Sequence, residues 1–183
     1  MQYIAYTDGS CKVNGNGGYS AIILDDKCRI IKKLYQGYNN TTNNRQEIRG
    51  VLSVLEYFKE PAELLIYSDS QYVVNTIQQN WVKKWFENND LSKKNLDLWF
   101  KIVELLDFHR VTMKWVKGHN KDKFNEEADF YAQHAATCLN RLNDEYYNYS
   151  KKSWKSLVSR YSTWVCRWNR IGWKSWKSFK FSW

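Results

Sequence analysis

The chain has 183 residues, 43% of them hydrophobic, and a formal net charge of +9. That length suits one sizeable core with an appendage and argues against two full domains. Its four cysteines show no C-x-x-C pairing, so the sequence predicts neither a zinc site nor a redox motif. No apolar run reaches the roughly 18 residues that cross a bilayer, and no signal-like segment leads the chain. We therefore expect a cytoplasmic protein with reduced thiols.

The excess positive charge is concentrated at the C-terminus. Residues 141–183 carry ten Lys or Arg and two acidic residues, whereas residues 1–140 are close to neutral at +1. A nearly neutral body followed by a basic, aromatic segment predicts a catalytic domain over 1–140 and an extension over 141–183. The partner of such an extension is expected to be polyanionic or a membrane surface.

The first forty residues predict an antiparallel meander, and a helix follows it. Segments 2–7 and 19–24 are rich in Tyr, Ile and Ala and flank the glycine-rich stretch 14–18, which indicates two paired strands. A third apolar segment, 28–38, comes after a short polar turn. The period then changes to helical spacing at Ile48, Val51, Leu52, Leu55 and Phe58.

The rest of the body alternates strands with helices. Residues 63–68 are typical of a short buried strand, and the side chains of Asp69 and Ser70 can cap the helix that follows. Further elements are predicted as a helix over 93–107, a strand over 110–116 and a helix over 125–140. An antiparallel start followed by this alternation predicts an α/β fold, in which a mixed sheet has helices on its faces.

Four acidic residues fall where this layout brings them together. Asp8 and Asp69 end the predicted first and fourth strands, and parallel strands would place both at the mouth of the sheet, where open α/β sheets bind ligands. Glu47 lies on the inward stripe of its helix, and Asp129 lies on a face of small residues in the last helix. Because no Lys or Arg shares these positions, the sequence favours hard divalent cations as counter-charges.

Each acid taken singly has a local explanation. Asp69 can be a helix N-cap, and Glu47 and Asp129 can be first-turn acids favoured by the helix dipole. Their joint placement in one predicted cleft favours the metal site over these separate explanations.

Six short strings carry a family resemblance that spans about residues 1–140. They are YTDGSC at 6–11, GGY at 17–19, TTNNRQE at 41–47, YSDSQYV at 67–73, WVKGH at 115–119 and NEEAD at 125–129. In this order and spacing they resemble the type I ribonucleases H. The resemblance implies a mixed five-stranded sheet flanked by helices, with strands 1–3 antiparallel and strands 4 and 5 parallel to strand 1.

The resemblance also implies an activity and a set of catalytic residues. The enzyme would cut the RNA strand of RNA/DNA hybrids by two-metal hydrolysis and leave 5′-phosphate and 3′-hydroxyl ends. Asp8, Glu47, Asp69 and Asp129 would hold two Mg²⁺ ions, or Mn²⁺, about 3.5–4 Å apart, and His119 would assist proton transfer or product departure. Two alternatives stay open: a hybrid-binding module without activity, and another nuclease of the same fold.

Nine residues are candidates for contacts to the hybrid. A protein distinguishes RNA from DNA by the 2′-hydroxyl, and by resemblance Asn14, Asn43 and Gln71 would contact the minor groove while Thr42 would bind a DNA-strand phosphate. A basic protrusion would hold the DNA strand by packing a tryptophan on a sugar and placing lysines at phosphates. The complete set is Cys11, Asn14, Thr42, Asn43, Asn44, Gln71, Trp81, Lys83 and Lys84.

The extension lies outside the resemblance and has three interpretations. Its basic residues could follow phosphates while its aromatic rings stack on bases. It could instead dock on the body or on a protein partner, or it could lie on an anionic membrane, which is the least favoured of the three. We expect the protein itself to be a monomer. The candidate nucleic-acid contacts are Trp154, Arg167, Trp168, Arg170, Trp173, Lys174, Trp176 and Lys177.

Overall fold

The structure is a computed structural model that describes residues 1–88, 90, 92–118 and 122–144. These residues all belong to one structural unit, Met1–Tyr147. No helix in this described part is both long enough and apolar enough to cross a membrane.

A mixed sheet forms the centre of the body. Its strands are β1 Gln2–Cys11, β2 Gly17–Leu24, β3 Ile30–Asn39, β4 Glu63–Ser68, β5 Arg110–Trp115 and β6 Leu142–Asn143. They lie in the order β5-β4-β1-β2-β3-β6. Strands β1 to β3 are antiparallel, and β4 and β5 run parallel to β1, which confirms the predicted arrangement of five strands. The sixth strand, β6, pairs parallel with β3 and is not predicted, because two residues carry no periodic signal.

Five helices cover the sheet in the described part of the chain. They are α1 Asn43–Tyr57, α2 Gln71–Gln78, α3 Trp81–Glu87, α4 Leu96–Phe108 and α5 Lys123–Thr137. Helix α5 begins two residues before its predicted start because Asp122 caps it, accepting hydrogen bonds from the backbone N–H groups of Phe124 and Asn125. Asn80, with a φ of 53°, separates α2 from α3.

The main apolar core lies between the sheet and helices α1 and α4. Ile23 on β2, Val51 and Leu55 on α1, and Ile102 on α4 are all completely buried members of this cluster. The burial of Val51 and Leu55 confirms the apolar helical stripe predicted over residues 48–58. Burial of such a stripe is the main source of helix stability in a folded protein.

Helix α5 packs on the opposite face of the sheet through small residues. A Cβ atom on Gly18 would lie 2.6 Å from the Cβ of Ala135, so only glycine allows this approach. Ser20, two residues along β2, donates its hydroxyl to the carbonyl of Ala128 at 2.5 Å. These contacts fix the backbone of α5 on β2.

A buried cluster of charges joins α1 to the end of the described chain. The Arg45 guanidinium donates to both carboxylate oxygens of Asp97 at 2.9 and 2.7 Å, and to both oxygens of Asp144 at 2.7 and 2.8 Å. Thr41 and Arg49 also donate to Asp144. Sequence reasoning missed this cluster, because Asp97 and Asp144 lie 52 and 99 residues from Arg45 along the chain. The charge cluster packs the chain onto the body as far as Asp144. The predicted domain boundary after residue 140 remains a prediction.

The pKa of the Asp144 carboxyl follows from this cluster. Burial alone would raise it, but the donors from Arg45, Arg49 and Thr41 outweigh burial and hold the pKa below its ordinary value. The resulting contribution to stability is therefore complete above the ordinary pKa of an aspartate and is lost as the pH falls through the lowered one.

We predict that Asp144→Asn lowers the free energy of unfolding at pH 7 by about 3 kcal/mol, because it leaves Arg45 and Arg49 short of a buried counter-charge. Denaturant titrations at pH 7 and pH 3 measure the effect, and the difference from the unmodified protein should shrink at pH 3. As a control, Asp107→Asn removes the more exposed ion pair with Lys83 and should cost at most about 1 kcal/mol. Equal losses for the two variants would contradict the assignment.

Candidate active site

Three carboxylates meet where the pairing of β1 with β4 ends. The parallel ladder ends at Thr7 and Ser68, so the next residues, Asp8 and Asp69, stand side by side. Glu47 reaches them from the second turn of α1. One carboxylate oxygen from each of the three acids lies within 4.8 Å of the other two. The structure thus brings together three of the four predicted metal ligands at the predicted edge of the sheet.

Two local details differ from the expectations. Asp8 does not end its strand, because β1 continues to Cys11 and stays paired with β2 up to Gly17. The residue that caps α2 is Ser70, and its side chain makes no capping hydrogen bond. The carboxylate of Asp69 therefore points to the acidic cluster and does not serve as the N-cap.

Glycines allow the backbone to approach this cluster closely. A Cβ on Gly9 would lie 2.6 Å from the carbonyl carbon of Gln46 and 2.8 Å from the Cα of Glu47, so α1 rests directly on β1. A Cβ on Gly118 would lie 2.9 Å from Oδ2 of Asp69. Sequence reasoning did not assign either glycine to the site, although both belong to the strings that carry the family resemblance.

The cluster is electrostatically unfavourable without a counter-charge. Burial, followed by the charges of Asp69 and Asp129, raises the pKa of the Asp8 carboxyl to about 8, although the backbone N–H of Gly9 donates to it at 2.8 Å. Burial and then the charges of Asp8 and Asp69 raise the pKa of Glu47 well above its ordinary value. In the described part of the chain, Oε2 of Glu47 is buried without a hydrogen-bond partner. A site whose ligand atoms are all carboxylate oxygens, including this buried oxygen of Glu47, fits a hard divalent cation.

The fourth predicted acid stands slightly apart. Among the described residues, the group of acids within 4.8 Å of one another does not include Asp129. Its carboxyl nevertheless lies within hydrogen-bonding reach of Asp8 and contributes to the raised pKa of that residue. Gln133, one turn later on α5, donates from Nε2 to Oδ1 of Asp129 at 2.7 Å.

Four of the nine predicted substrate contacts form a rim beside Glu47. The sulfur of Cys11 lies 3.6 Å from the carbonyl oxygen of Thr41, and Thr42 is the N-cap of α1 without a side-chain capping bond. Asn43 donates to Oε1 of Glu47 at 3.3 Å. The neighbouring Asn44 is exposed.

Two further predicted substrate contacts are Asn14, in a turn, and Gln71, at the start of α2. Asn14 accepts a hydrogen bond from the backbone N–H of Asn16, in a turn that the Gly15 carbonyl connects to Thr41. Gln71 is exposed at the first position of α2, two residues after Asp69.

The predicted basic protrusion is the helix α3 packed on α4. Trp81 is half-buried, Lys84 is exposed, and Lys83 is held by Asp107 at 3.0 Å. Trp85, in the same segment, packs edge-on against Trp99. Lys84 is therefore the more accessible of the two lysines. His119 and all eight candidate residues of the extension lie outside the described residues, so these predictions remain untested.

A mixed sheet in this strand order, with an acidic cluster where its central strands end, defines the ribonuclease H-like class of nucleases. The family model described as RNase H matches residues 1–137. Ribonuclease H of Caldicellulosiruptor saccharolyticus is 41% identical over 139 residues, which are 72% of this chain and 94% of that protein. Ribonuclease HI of Synechocystis is 42% identical over 146 residues, 76% of this chain and 91% of that protein.

A solved structure agrees with these relatives. The crystal structure of LC9-RNase H1, described as a type 1 RNase H with the type 2 active-site motif, superposes with a TM-score of 0.66 at 27% identity. The match covers 74% of this chain and 72% of that one. The chain belongs to the ribonuclease H family. It is an enzyme, an endonuclease that hydrolyses phosphodiester bonds with the help of divalent metal. The family match ends at residue 137, before the basic extension.

We predict that Asp8→Asn stabilises the metal-free protein at pH 8 by about 2 kcal/mol, or roughly 4–8 °C in Tm. A carboxyl whose pKa is raised on folding costs no stability below its ordinary pKa. The cost grows as the pH rises and is complete above the raised value near 8. Thermal unfolding in chelator should therefore show a gap between the variant and the unmodified protein that closes towards pH 4. A variant that is less stable than the unmodified protein at pH 8 would contradict the electrostatic account.

Proposed function

We propose that this ribonuclease H cuts the RNA strand of RNA/DNA hybrids by two-metal hydrolysis, using Mg²⁺ and leaving 5′-phosphate and 3′-hydroxyl ends. The observation that carries the proposal is the convergence of Asp8, Glu47 and Asp69 within 4.8 Å, with one buried oxygen of Glu47 that has no hydrogen-bond partner among the described residues. Asp129 beside Asp8 supplies the additional carboxylate that a second ion needs. Carboxylate oxygens are the ligands that Mg²⁺ prefers in proteins.

The chain's own residues would perform four tasks in this mechanism. Asp8, Glu47, Asp69 and Asp129 would hold the cations, and Asn43 keeps the Glu47 carboxylate oriented through its hydrogen bond. When bound, the cations supply a nucleophilic water at neutral pH and stabilise the charge that develops in the in-line displacement. Burial of Asp8 and Glu47 excludes bulk water, which strengthens these electrostatic interactions. His119 would move a proton or assist product departure.

Recognition of the hybrid is proposed to use the rim at the start of α1. The N-cap hydroxyl of Thr42 makes no capping bond, and the first backbone N–H groups of a helix are suited to bind a phosphate. Asn14, Asn43 and Gln71 would donate to the minor groove, where the 2′-hydroxyl distinguishes RNA from DNA. Cys11 and Asn44 lie on the same rim. Trp81 and Lys84, with a smaller contribution from Lys83, would hold the DNA strand.

We predict that Asp69→Asn lowers the cleavage rate of a labelled hybrid about a thousandfold, because it removes a ligand that contributes several kcal/mol of transition-state stabilisation. Hybrid binding, measured in chelator, should persist. Asp26→Asn makes the same change in the exposed turn after β2 and should leave the rate unchanged.

The same assay tests the alternatives with three substrates, which are the hybrid, an RNA duplex and a DNA duplex. A further reaction contains chelator to remove the metal. Rapid cleavage of the hybrid, with little cleavage of RNA or DNA duplexes and none in chelator, is the expected pattern. Comparable cleavage of a DNA duplex would instead indicate another nuclease of this fold. Binding of the hybrid without any cleavage in Mg²⁺ or Mn²⁺ would indicate a binding module. Products with 3′-phosphate ends would contradict the two-metal mechanism.

We also propose that the basic extension is a nucleic-acid tether for the catalytic body. Residues 141–183 hold a net charge of +8 with tryptophans spaced between lysines and arginines. Such a composition combines neutralisation of phosphates with stacking surfaces for bases. A tether of this kind raises affinity without changing the chemistry at the metal site.

Deletion of residues 145–183 should weaken hybrid binding at least about tenfold at 0.1 M salt and flatten the salt dependence of the binding constant. The deletion removes nine Lys or Arg, and each phosphate that is no longer neutralised reduces the slope by about 0.9. The rate at saturating hybrid should be unchanged. A full-length control in which these nine residues become Gln separates charge from aromatic stacking. Unchanged affinity and slope after deletion would reject the tether.

A further inference from the structure

We infer that Gln133 is a positioning residue that holds the Asp129 carboxylate for cation binding. The inference rests on the proposed two-metal function and adds to it a residue that the four-acid site does not contain. Nε2 of Gln133 donates to Oδ1 of Asp129 at 2.7 Å, a short hydrogen bond to a charged acceptor. The two residues are four apart on α5, so they lie on the same face of the helix.

The position of Asp129 explains why it needs such a partner. Asp8, Glu47 and Asp69 form a group within 4.8 Å that excludes Asp129, although its carboxyl reaches Asp8. When both carboxylates are ionised and no cation is bound, they repel each other. An N–H donor on Oδ1 opposes this repulsion and keeps Asp129 beside the cluster.

The packing of α5 on the sheet holds the helix backbone that carries Asp129 in place. The helix backbone is fixed on the sheet by the contact of Ala135 with Gly18 and by the hydrogen bond from Ser20 to Ala128. Displacement of the carboxylate must therefore occur by rotation of its side chain. Gln133 restricts that rotation, which reduces the ordering cost when a cation binds.

The chemistry of the amide suits this task. A carboxamide is neutral, so it orients the carboxylate without competing with a cation for it, as a lysine or arginine would. The bond to Oδ1 leaves acceptor sites on Asp129 for a metal ion, since a carboxylate has about four lone-pair positions. Because Gln133 is exposed, we expect an effect of about threefold to tenfold, smaller than the roughly tenfold to hundredfold effect of buried partners that orient metal ligands.

The test compares Gln133→Met with Gln78→Met in the full-length protein. Methionine keeps the length and helix propensity of glutamine but removes the donor. Gln78 offers a matched control, because its Nε2 donates at 2.8 Å to the carbonyl of Met113, remote from the acids. Calorimetric titration with Mn²⁺ in the absence of nucleic acid measures cation binding directly. Cleavage of hybrid across Mg²⁺ concentrations gives the half-saturating concentration and the limiting rate.

Gln133→Met should weaken Mn²⁺ binding and raise the half-saturating Mg²⁺ concentration, each about threefold to tenfold, with the limiting rate within about twofold. Gln78→Met should match the unmodified protein in both measurements. If Gln133→Met also matches it in both, the inference is wrong. Weakened Mn²⁺ binding in a protein that does not cleave hybrids would leave the inference standing and overturn the proposed function. No Mn²⁺ binding by the unmodified protein would overturn both.

Discussion

Direct contact between the backbones of β1 and α1 holds the negative charges of the active site together. Gly9 has no side chain to separate them, so the strand that carries Asp8 and the helix that carries Glu47 lie against each other. The apolar core beneath α1 supplies the free energy that maintains this contact, because Val51 and Leu55 are completely buried. The backbones that carry Asp8 and Glu47 cannot move apart without separating the helix from the sheet. The repulsion between the carboxylates is therefore relieved by protons or by cations.

Two residues near the start of α1, Arg45 and Glu47, belong to two different clusters of charged side chains. Arg45 enters a cluster in which Asp97 and Asp144 satisfy its guanidinium, so every charge there has a partner. Glu47, two residues later and about 200° around the helix, lies with Asp8 and Asp69 in a group of carboxylates whose charges raise its pKa. The first cluster fixes the helix to α4 and to the end of the described body. With the helix fixed in this way, the three carboxylates of the second cluster stay close together.

The sequence predicted what depends on periodicity and on local motifs. The antiparallel start of the sheet and the alternation of strands with helices follow from apolar runs and turns. The parallel directions of β4 and β5 were implied by the family resemblance that the short strings carry. Features that depend on contacts between distant segments were not predictable from one sequence. Arg45 pairs with Asp144 across 99 residues, and the two-residue strand β6 exists because β3 offers it an edge. The continuation of β1 past Asp8 likewise depends on its partner β2.

The separation of Asp129 from the other three acids follows from the two faces of the sheet. Asp8 and Asp69 are fixed by the strands themselves, and Glu47 is fixed by a helix in backbone contact with one of those strands. Asp129 comes from α5 on the opposite face, which small residues allow close to β2. It thus reaches the cluster by its side chain and not by its backbone. A cation site built in this way would have three ligands of fixed position and one of adjustable position. The adjustable ligand would be the one whose neighbours on its own helix can change the cation affinity.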